Sequence, residues 1–302
     1  MRRAVTVVTA VVLAIVLAGT CGCRKGKDLS EMEPIVVALG PTFDPATAPK
    51  QFEPLAALLQ EEVGQPFKFQ PTKSREDFAD LVKEGKATFV FATPLDYFEV
   101  ADASIALVKA NYRETGTMVQ GCIIVKEGES VKIREVGEMK GASIMIMSTG
   151  SLDGYLSQKM FFDRSDLDLD LDFDLRTAPS GTADEVIAAV AAGEVEYGCV
   201  PAGLFEERKP NKGAELLTYS EKVPVEVFAF VEMGGDKMLG GKVRDVLKAI
   251  PKGDPALQPL GLESFMLATQ AEYDLVTNFL AADKIEKAQR LSETAPETAV
   301  TP

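Results

Sequence analysis

The residues with the most chemical content in this chain are three hydroxyls and a glycine in one run, Ser148-Thr149-Gly150-Ser151, just after an apolar stretch that ends at Met147. Hydroxyls and backbone N–H groups converging where a strand turns into a helix make a site for an oxyanion. The first N–H groups of a helix lack intrahelical acceptors and carry the positive end of its dipole. The same run also fits ordinary capping of the helix by one of the hydroxyls, and the residues alone leave both readings open. It is not a phosphate-binding P-loop, because the Gly-x-x-x-x-Gly-Lys frame is missing. Two other strand ends carry related chemistry: Leu39 leads into Gly40-Pro41-Thr42, and Ala92 leads into Thr93-Pro94. In open α/β sheets ligands bind beyond the carboxyl ends of the strands, where such residues gather.

Composition narrows what these groups can do. The chain has no histidine and no tryptophan. Without histidine there is no Ser-His-Asp or Cys-His arrangement and no His-containing metal site, which weighs against an enzyme and predicts neither cofactor nor metal. The net charge is −14 at pH 7, so nucleic acid and anionic membrane surfaces are not expected partners. A small anion is compatible with that charge, since N–H groups and hydroxyls act locally while salt screens distant carboxylates. Cys122 and Cys199 both sit in apolar, strand-like runs. They read as two buried thiols, or as a disulfide in an oxidising compartment.

The elements that must position these groups follow from periodicity. Residues 35–39 form an apolar strand; Phe52, Leu55, Leu59 and Val63 recur at helical spacing, and Gly64 stops the helix. Residues 66–70 read as a short strand, Ser74 with Asp77 caps a helix carrying Phe78, Leu81 and Val82, and residues 88–92 form a third strand. The same alternation restarts after Gly116, with strands over residues 118–125, 143–147 and 195–200 and helices over 151–164 and 183–192. A strand over residues 225–231 and three helical stretches up to Arg290 complete the pattern. Strands and helices alternating at these lengths predict a parallel α/β sheet in each of two lobes.

The expected boundaries are 34–116 for the first part of lobe I, 117–218 for lobe II, and 219–290 for the return to lobe I with its C-terminal helices. Residues 291–302, rich in Thr, Glu, Ala and Pro, read as a disordered tail. The run from Asp166 to Leu175 alternates Asp with Leu or Phe, which as a strand puts five carboxylates on one solvated face. A calcium loop fails there, because its sixth and twelfth positions are Leu171 and Thr177 rather than Gly and Glu.

The beginning of the chain addresses it to the outside. Met1-Arg2-Arg3, an apolar run from Val7 to Leu17 and small residues before Cys21 and Cys23 predict a secretory signal over residues 1–22. Gly22-Cys23 suits attachment of lipid to Cys23, with residues 23–33 as a polar tether. A plain signal peptide cut nearby is the other reading, and Cys21 is the other candidate cysteine.

From Ile35 to about Phe279 the chain resembles the phosphate/phosphite/phosphonate substrate-binding proteins of bacterial ABC transporters. The resemblance rests on Gly40-Pro41 with Phe52-Glu53-Pro54-Leu55, on Ala92-Thr93-Pro94, on Ser148-Thr149-Gly150-Ser151 with Gly154-Tyr155-Leu156, on Ala188 to Glu196, and on Leu260-Gly261 with Phe265 and Tyr273. It implies an α/β, two-lobed periplasmic-binding clamshell, each lobe a mixed, mostly parallel sheet flanked by helices and closing on a small oxyanion. It also implies an ABC permease as partner, a monomeric state and no catalysis, with a sensor that delivers a solute signal to a membrane receptor as the alternative role. Ser148, Thr149 and Ser151 become ligand donors, Thr93 opposes them, and Tyr155 and Thr182 join them. Asp184 either accepts a hydrogen bond from the ligand or favours its own helix N-terminus. Thr182 with Glu185 also forms a capping box, which leaves a purely structural role open for it. The chain departs from the family where a histidine is usual: Thr182-Ala183-Asp184 stands there, and Ala92 replaces an aromatic. These departures leave the identity of the oxyanion open.

Overall fold

The computed structural model describes residues 32–208 and 213–294. The predicted signal and Cys23 lie outside the described residues, as do residues 24–31 of the tether and 295–302 of the tail. In chain order the first elements are β1 (Ile35–Leu39), α1 (Ala48–Val63), β2 (Phe67–Pro71), α2 (Arg75–Lys83), β3 (Phe89–Ala92), α3 (Pro94–Tyr97), β4 (Ser104–Tyr112), β5 (Met118–Lys126) and β6 (Ser143–Ile146). A π-helical turn, Leu152–Leu156, leads into α4 (Ser157–Asp163). Then come β7 (Asp174–Thr177), α5 (Ala183–Ala192), β8 (Tyr197–Pro201), α6 (Ala202–Glu207), β9 (Ala214–Pro224), β10 (Val227–Val231), α7 (Lys237–Ala249), β11 (Leu262–Leu267) and α8 (Gln270–Thr294).

The strands make two sheets, ordered β11-β4-β10-β3-β1-β2 and β7-β6-β8-β5-β9. In the first, β2, β1 and β3 run parallel and the other three are antiparallel; in the second, β7, β6 and β8 run parallel. Each sheet is flanked by helices, giving the two-lobed α/β architecture. The chain passes from the first sheet to the second between Tyr112 and Met118 and returns between Pro224 and Val227, two segments held together by the pairing of Met118 with Pro224.

Burial on both faces explains the continuous apolar strands. Along β1 and β3, Val37, Leu39, Phe89 and Phe91 enter a phenylalanine-rich core with α1 and α7, while Ala38, Val90 and Ala92 enter a second core with α2 and Tyr97. The second sheet repeats the division: Cys122, Ile124 and Val200 face α5 and α6, whereas Ile123, Val125 and Cys199 face Phe162, Leu169 and Phe173. Cys122 and Cys199 therefore lie on opposite faces, and no disulfide joins them.

Several elements depart from the sequence reading. β4, β9 and β11 are strands that periodicity did not single out, and β11 occupies part of what reads as helix. They are edge or crossing strands whose mixed patterns make sense only beside a partner. The predicted helix over residues 151–164 begins as a π turn. Leu291 to Thr294 continue α8 instead of starting a tail.

The acidic run is not a strand with a solvated face; only Asp174 and Leu175 of it lie in β7. Asp166 takes a left-handed φ of 56°, and turns at Leu171 and Asp172 close back on the carbonyl of Asp168. Leu167, Leu169 and Phe173 are buried as period two suggests, but Asp168 and Asp172 are buried too.

Gly121 on β5 shows how tightly the second lobe is packed. A Cβ there would sit 2.1 Å from Gln158 Nε2 and 2.2 Å from the Asp153 carbonyl oxygen. Gly121→Ala is expected to cost about 1–3 kcal/mol in denaturant unfolding, the usual range for overpacking. Gly203→Ala on α6, where an added Cβ meets nothing within 4 Å, is expected to be neutral or slightly stabilising.

Candidate functional site

The carboxyl ends of β1, β3 and β6 open on one cavity of about 910 Å³ between the lobes. One wall carries Thr42, Thr93, Val225 and Glu226; the facing wall carries Gly150, Ser151 and Asp153; Tyr112, Arg113 and Glu114 come from the crossing segment. At the rim the walls come close: a Cβ added at Gly150 would lie 3.9 Å from Thr42 Cγ2.

On the first wall the organising group is Asp96, whose side chain is fully buried. It accepts hydrogen bonds from Thr93 Oγ1 at 2.9 Å, Thr42 Oγ1 at 3.3 Å and Arg75 Nε at 3.0 Å. The carboxylate thereby ties the loops after β1 and β3 to α2. Gly40 is required by closeness: a Cβ there would meet Asp96 Oδ2 at 2.7 Å. Thr93 caps α3 by accepting from the Asp96 N–H at 3.3 Å. Its own proton is committed to Asp96.

On the second wall Ser151 caps the π turn, accepting from Gly154 N at 2.9 Å. Its hydroxyl makes only a long contact of 3.4 Å with Asp153 Oδ1, so its proton can be turned toward a ligand. Thr93 and Ser151 are thus the predicted site residues that line the main cavity. Thr149 lines a smaller neighbouring cavity with Arg75, Tyr155, Lys159 and Asp283, and Ser148 lies behind it in the turn closed by Ser151 N to Ser148 O at 3.1 Å. The Tyr155 hydroxyl donates to Asp170 at 2.9 Å, away from the main cavity. Thr182 caps α5 by accepting from Glu185 N at 3.4 Å, and Asp184 pairs with Arg208.

Sequence reasoning passed over Asp96, Arg75, Arg113, Asp153 and Glu226. Asp96 was legible, because Thr93-Pro94-Leu95-Asp96 is a helix-start signature with Pro at the first helical position. Nothing local marks Glu226, which reaches the cavity only because β10 returns to the first sheet beside the crossing strand. Its carboxylate accepts from the Tyr112 hydroxyl at 2.8 Å. Burial raises the pKa of Glu226, with the nearby charges of Asp96 and Asp153 adding to the shift. Burial likewise raises that of Asp153. Arg113 is the sole cation among the cavity's lining residues. Among the described residues no group of His, Cys, Asp and Glu is arranged to hold a metal ion. The arrangement can bind and orient a small polar solute.

The profile of the family described as the periplasmic phosphonate substrate-binding protein of ABC transporters matches residues 37–273. The chain belongs to that family. It is a family of extracytoplasmic solute-binding proteins rather than enzymes, and its members work with an ABC permease.

Among solved structures, a Xanthomonas citri protein bound to chloride ion is similar at 15% identity and a TM-score of 0.68, covering 83% of this chain and 99% of its own. PhnD1 of Prochlorococcus marinus, in complex with methylphosphonate, is similar at 14% identity and a TM-score of 0.57, with 82% and 99% covered. A binding protein component of a Pseudomonas aeruginosa ABC phosphonate transporter is similar at 13% identity and a TM-score of 0.54, with 87% and 99% covered. At these identities they attest the two-lobed fold. No curated protein matches the chain by sequence.

The buried Glu226 makes a pH prediction with a definite sign. Its folded-state pKa lies above that of an unfolded glutamate, about 4.3. Its contribution to stability is therefore complete below the unfolded value and is lost as pH rises through the folded value. Glu226→Gln keeps an acceptor for Tyr112 and removes the buried charge. Melting curves are expected to show this variant more stable than wild type at pH 8, with the difference vanishing below about pH 4.

Proposed function

We propose that this protein captures a small solute bearing an oxyanion in the cleft between its lobes and delivers it to an ABC permease from a lipid anchor at Cys23. The observation that carries the reading is the facing of two hydroxyl-bearing strand ends across one cavity. Ser151 and the backbone of the π turn stand on one wall, Thr42 and Thr93 stand on the other, and Arg113 completes the lining. Oxyanion oxygens can accept at once from the Ser151 hydroxyl, backbone N–H groups and the Arg113 guanidinium, while Thr42 and Thr93, whose protons go to Asp96, shape the other wall.

The two sheets are taken as rigid lobes, 34–116 with 225–290 and 117–224, hinging at the crossings near residues 112–118 and 224–227; the second boundary falls later than the expected 218/219 because β9 stays paired with β5 as far as Pro224. A ligand that touches both walls stabilises the closed arrangement by the difference between its affinities for the closed and open states. Ser148 and Thr149 flank the Ser151 turn and stay candidate contacts for a bound ligand. Tyr155, Thr182 and Asp184 support the turn and helices around it. PhnD1 was solved with methylphosphonate; here Ala183 stands where a histidine is usual in the family and Ala92 where an aromatic is, both buried in the lobe cores outside the cavity lining, and the loss of the histidine donor favours an oxyanion other than methylphosphonate.

A thermal-shift panel of phosphate, phosphite, alkyl- and aminoalkylphosphonates, sulfate and small carboxylates tests the reading. The true solute at a hundredfold excess over Kd should stabilise the protein by about 2.7 kcal/mol, with methyl- and aminoethylphosphonate weak. Arg113→Ala and Ser151→Ala should each reduce the shift while leaving the apo stability within about 1–2 kcal/mol of wild type. No response to any anion would overturn the oxyanion reading. For the anchor, Cys23→Ser is expected to move the protein from the membrane to the soluble fraction, and unchanged fractionation would count against lipid at that residue.

A further inference from the structure

The acidic run and the end of the last helix form an assembly that the solute-binding reading does not use. α8 is anchored to the first lobe by its opening turns. Tyr273 is fully buried against Tyr97, with ring centroids 5.7 Å apart, and its hydroxyl donates to the Val225 carbonyl at 3.0 Å. Further along, Val276 packs with Leu95 of the first lobe and with Leu156 and Met160 of the second.

The closing turns of α8 then reach the second lobe through charge. Asp283 meets the buried Lys159 ammonium at 2.7 Å, Lys287 pairs with Asp170, and Arg290 grips Asp172 with both nitrogens at 2.6 and 3.2 Å. Lys159 also meets Asp170 at 2.8 Å and Asp168 at 3.4 Å, and Lys140 meets Asp172 at 3.1 Å. With Glu286, which also meets Arg290 at 3.7 Å, five carboxylates thus face four cations from α4, α8 and the loop before β6, so most of the local charge is neutralised in a chain of net charge −14.

We propose that the acidic run 168–172 and the C-terminal half of α8 form an electrostatic strap that holds the lobes in the closed arrangement and so sets how readily the cleft opens. Three features carry it. α8 is a continuous helix attached to both lobes, so any separation of the lobes must stretch or break one attachment. Its attachment to the first lobe is apolar and deeply buried, whereas the attachment to the second adds ion pairs to the Val276 contacts, and the last two of those pairs have α8 side chains that are partly exposed, Lys287 at 24% and Arg290 at 32%. Those two pairs are the part of the attachment that water can replace on opening. The strap also acts on the ligand-facing turn directly. The helix that begins at Ser151 carries Tyr155, bonded to Asp170, and then Lys159, so the residues fixed by the strap lie one and two turns behind the cavity wall.

The inference rests on the reading that the two lobes hinge. Its test needs no ligand. Spin labels at Lys50→Cys on α1 and Glu127→Cys after β5, both exposed, report the distance between lobes by pulsed electron resonance, since Cys122 and Cys199 are buried.

The wild-type apo protein is expected to give mainly the shorter distance. Lys287→Gln with Arg290→Gln should raise the fraction at the longer distance about fivefold, as expected for two partly exposed pairs of ~0.5 kcal/mol each. Lys287→Arg with Arg290→Lys, which keeps the charges, should restore the wild-type distribution. Circular dichroism melting confirms that the variants are folded; if the double variant is not, Arg290→Gln alone takes its place with a smaller expected change.

An unchanged distribution in a folded charge-neutral variant would overturn the strap, as would an equal shift in the charge-preserving one. A shift seen in a protein that answers no anion in the thermal panel would leave the strap standing and remove the oxyanion reading instead.

Discussion

Lys159 is 3% exposed, and an ammonium taken so far out of water costs several kcal/mol unless carboxylates replace its hydration. Much of the second lobe is arranged to supply them. Asp168 and Asp170 come from a loop that abandons the strand its composition suggests, and Asp283 comes from a helix more than a hundred residues away. The loop is held by its own backbone, with Asp170 N donating to Asp168 at 2.7 Å and Asp168 N to Asp172 at 2.8 Å. The charges lower the pKa of Asp170 and Asp172, with the Arg290 hydrogen bond the largest influence on Asp172. Burial of one cation thereby dictates the loop, the docking of α8 and the placing of the helix whose other end faces the cleft.

The cleft follows a different electrostatic rule. Its walls present hydroxyls and backbone groups, while its buried carboxylates are either fully engaged, as Asp96 is with Arg75, Thr42 and Thr93, or pushed toward their neutral forms, as Glu226 and Asp153 are. Arg113 supplies the positive charge among the lining residues.

Local signals in the sequence were sufficient for elements whose partners are near in the chain. Gly64 ends α1 in the left-handed region at φ 77°, Ser74 caps α2, and the apolar runs of β1, β3 and β8 are buried on both faces. They were insufficient for β4, β9 and β11. The edge strands β9 and β11, and β4 between β11 and β10, are stabilised by the strands beside them, and those neighbours are set by topology. The hydroxyl run after Met147 was legible as a turn and a cap, yet only Ser151 and Gly150 of it line the main cavity, because the turn directs Thr149 toward Arg75 and Tyr155 toward Asp170.

By itself, then, the sequence determined the alternation of strands and helices, the two-lobed α/β class and the family, since these depend on periodicity, capping and the order of short motifs along the chain. The tertiary structure alone decided which polar groups meet. Asp96 gathers Arg75 from α2 and Thr42 from the loop after β1, Glu226 comes to Tyr112 across 114 positions, and the acidic run finds cations on α4 and α8. Such pairings are set by where burial removes water, because a charge or hydroxyl deprived of water must find a partner in space whatever its distance in sequence.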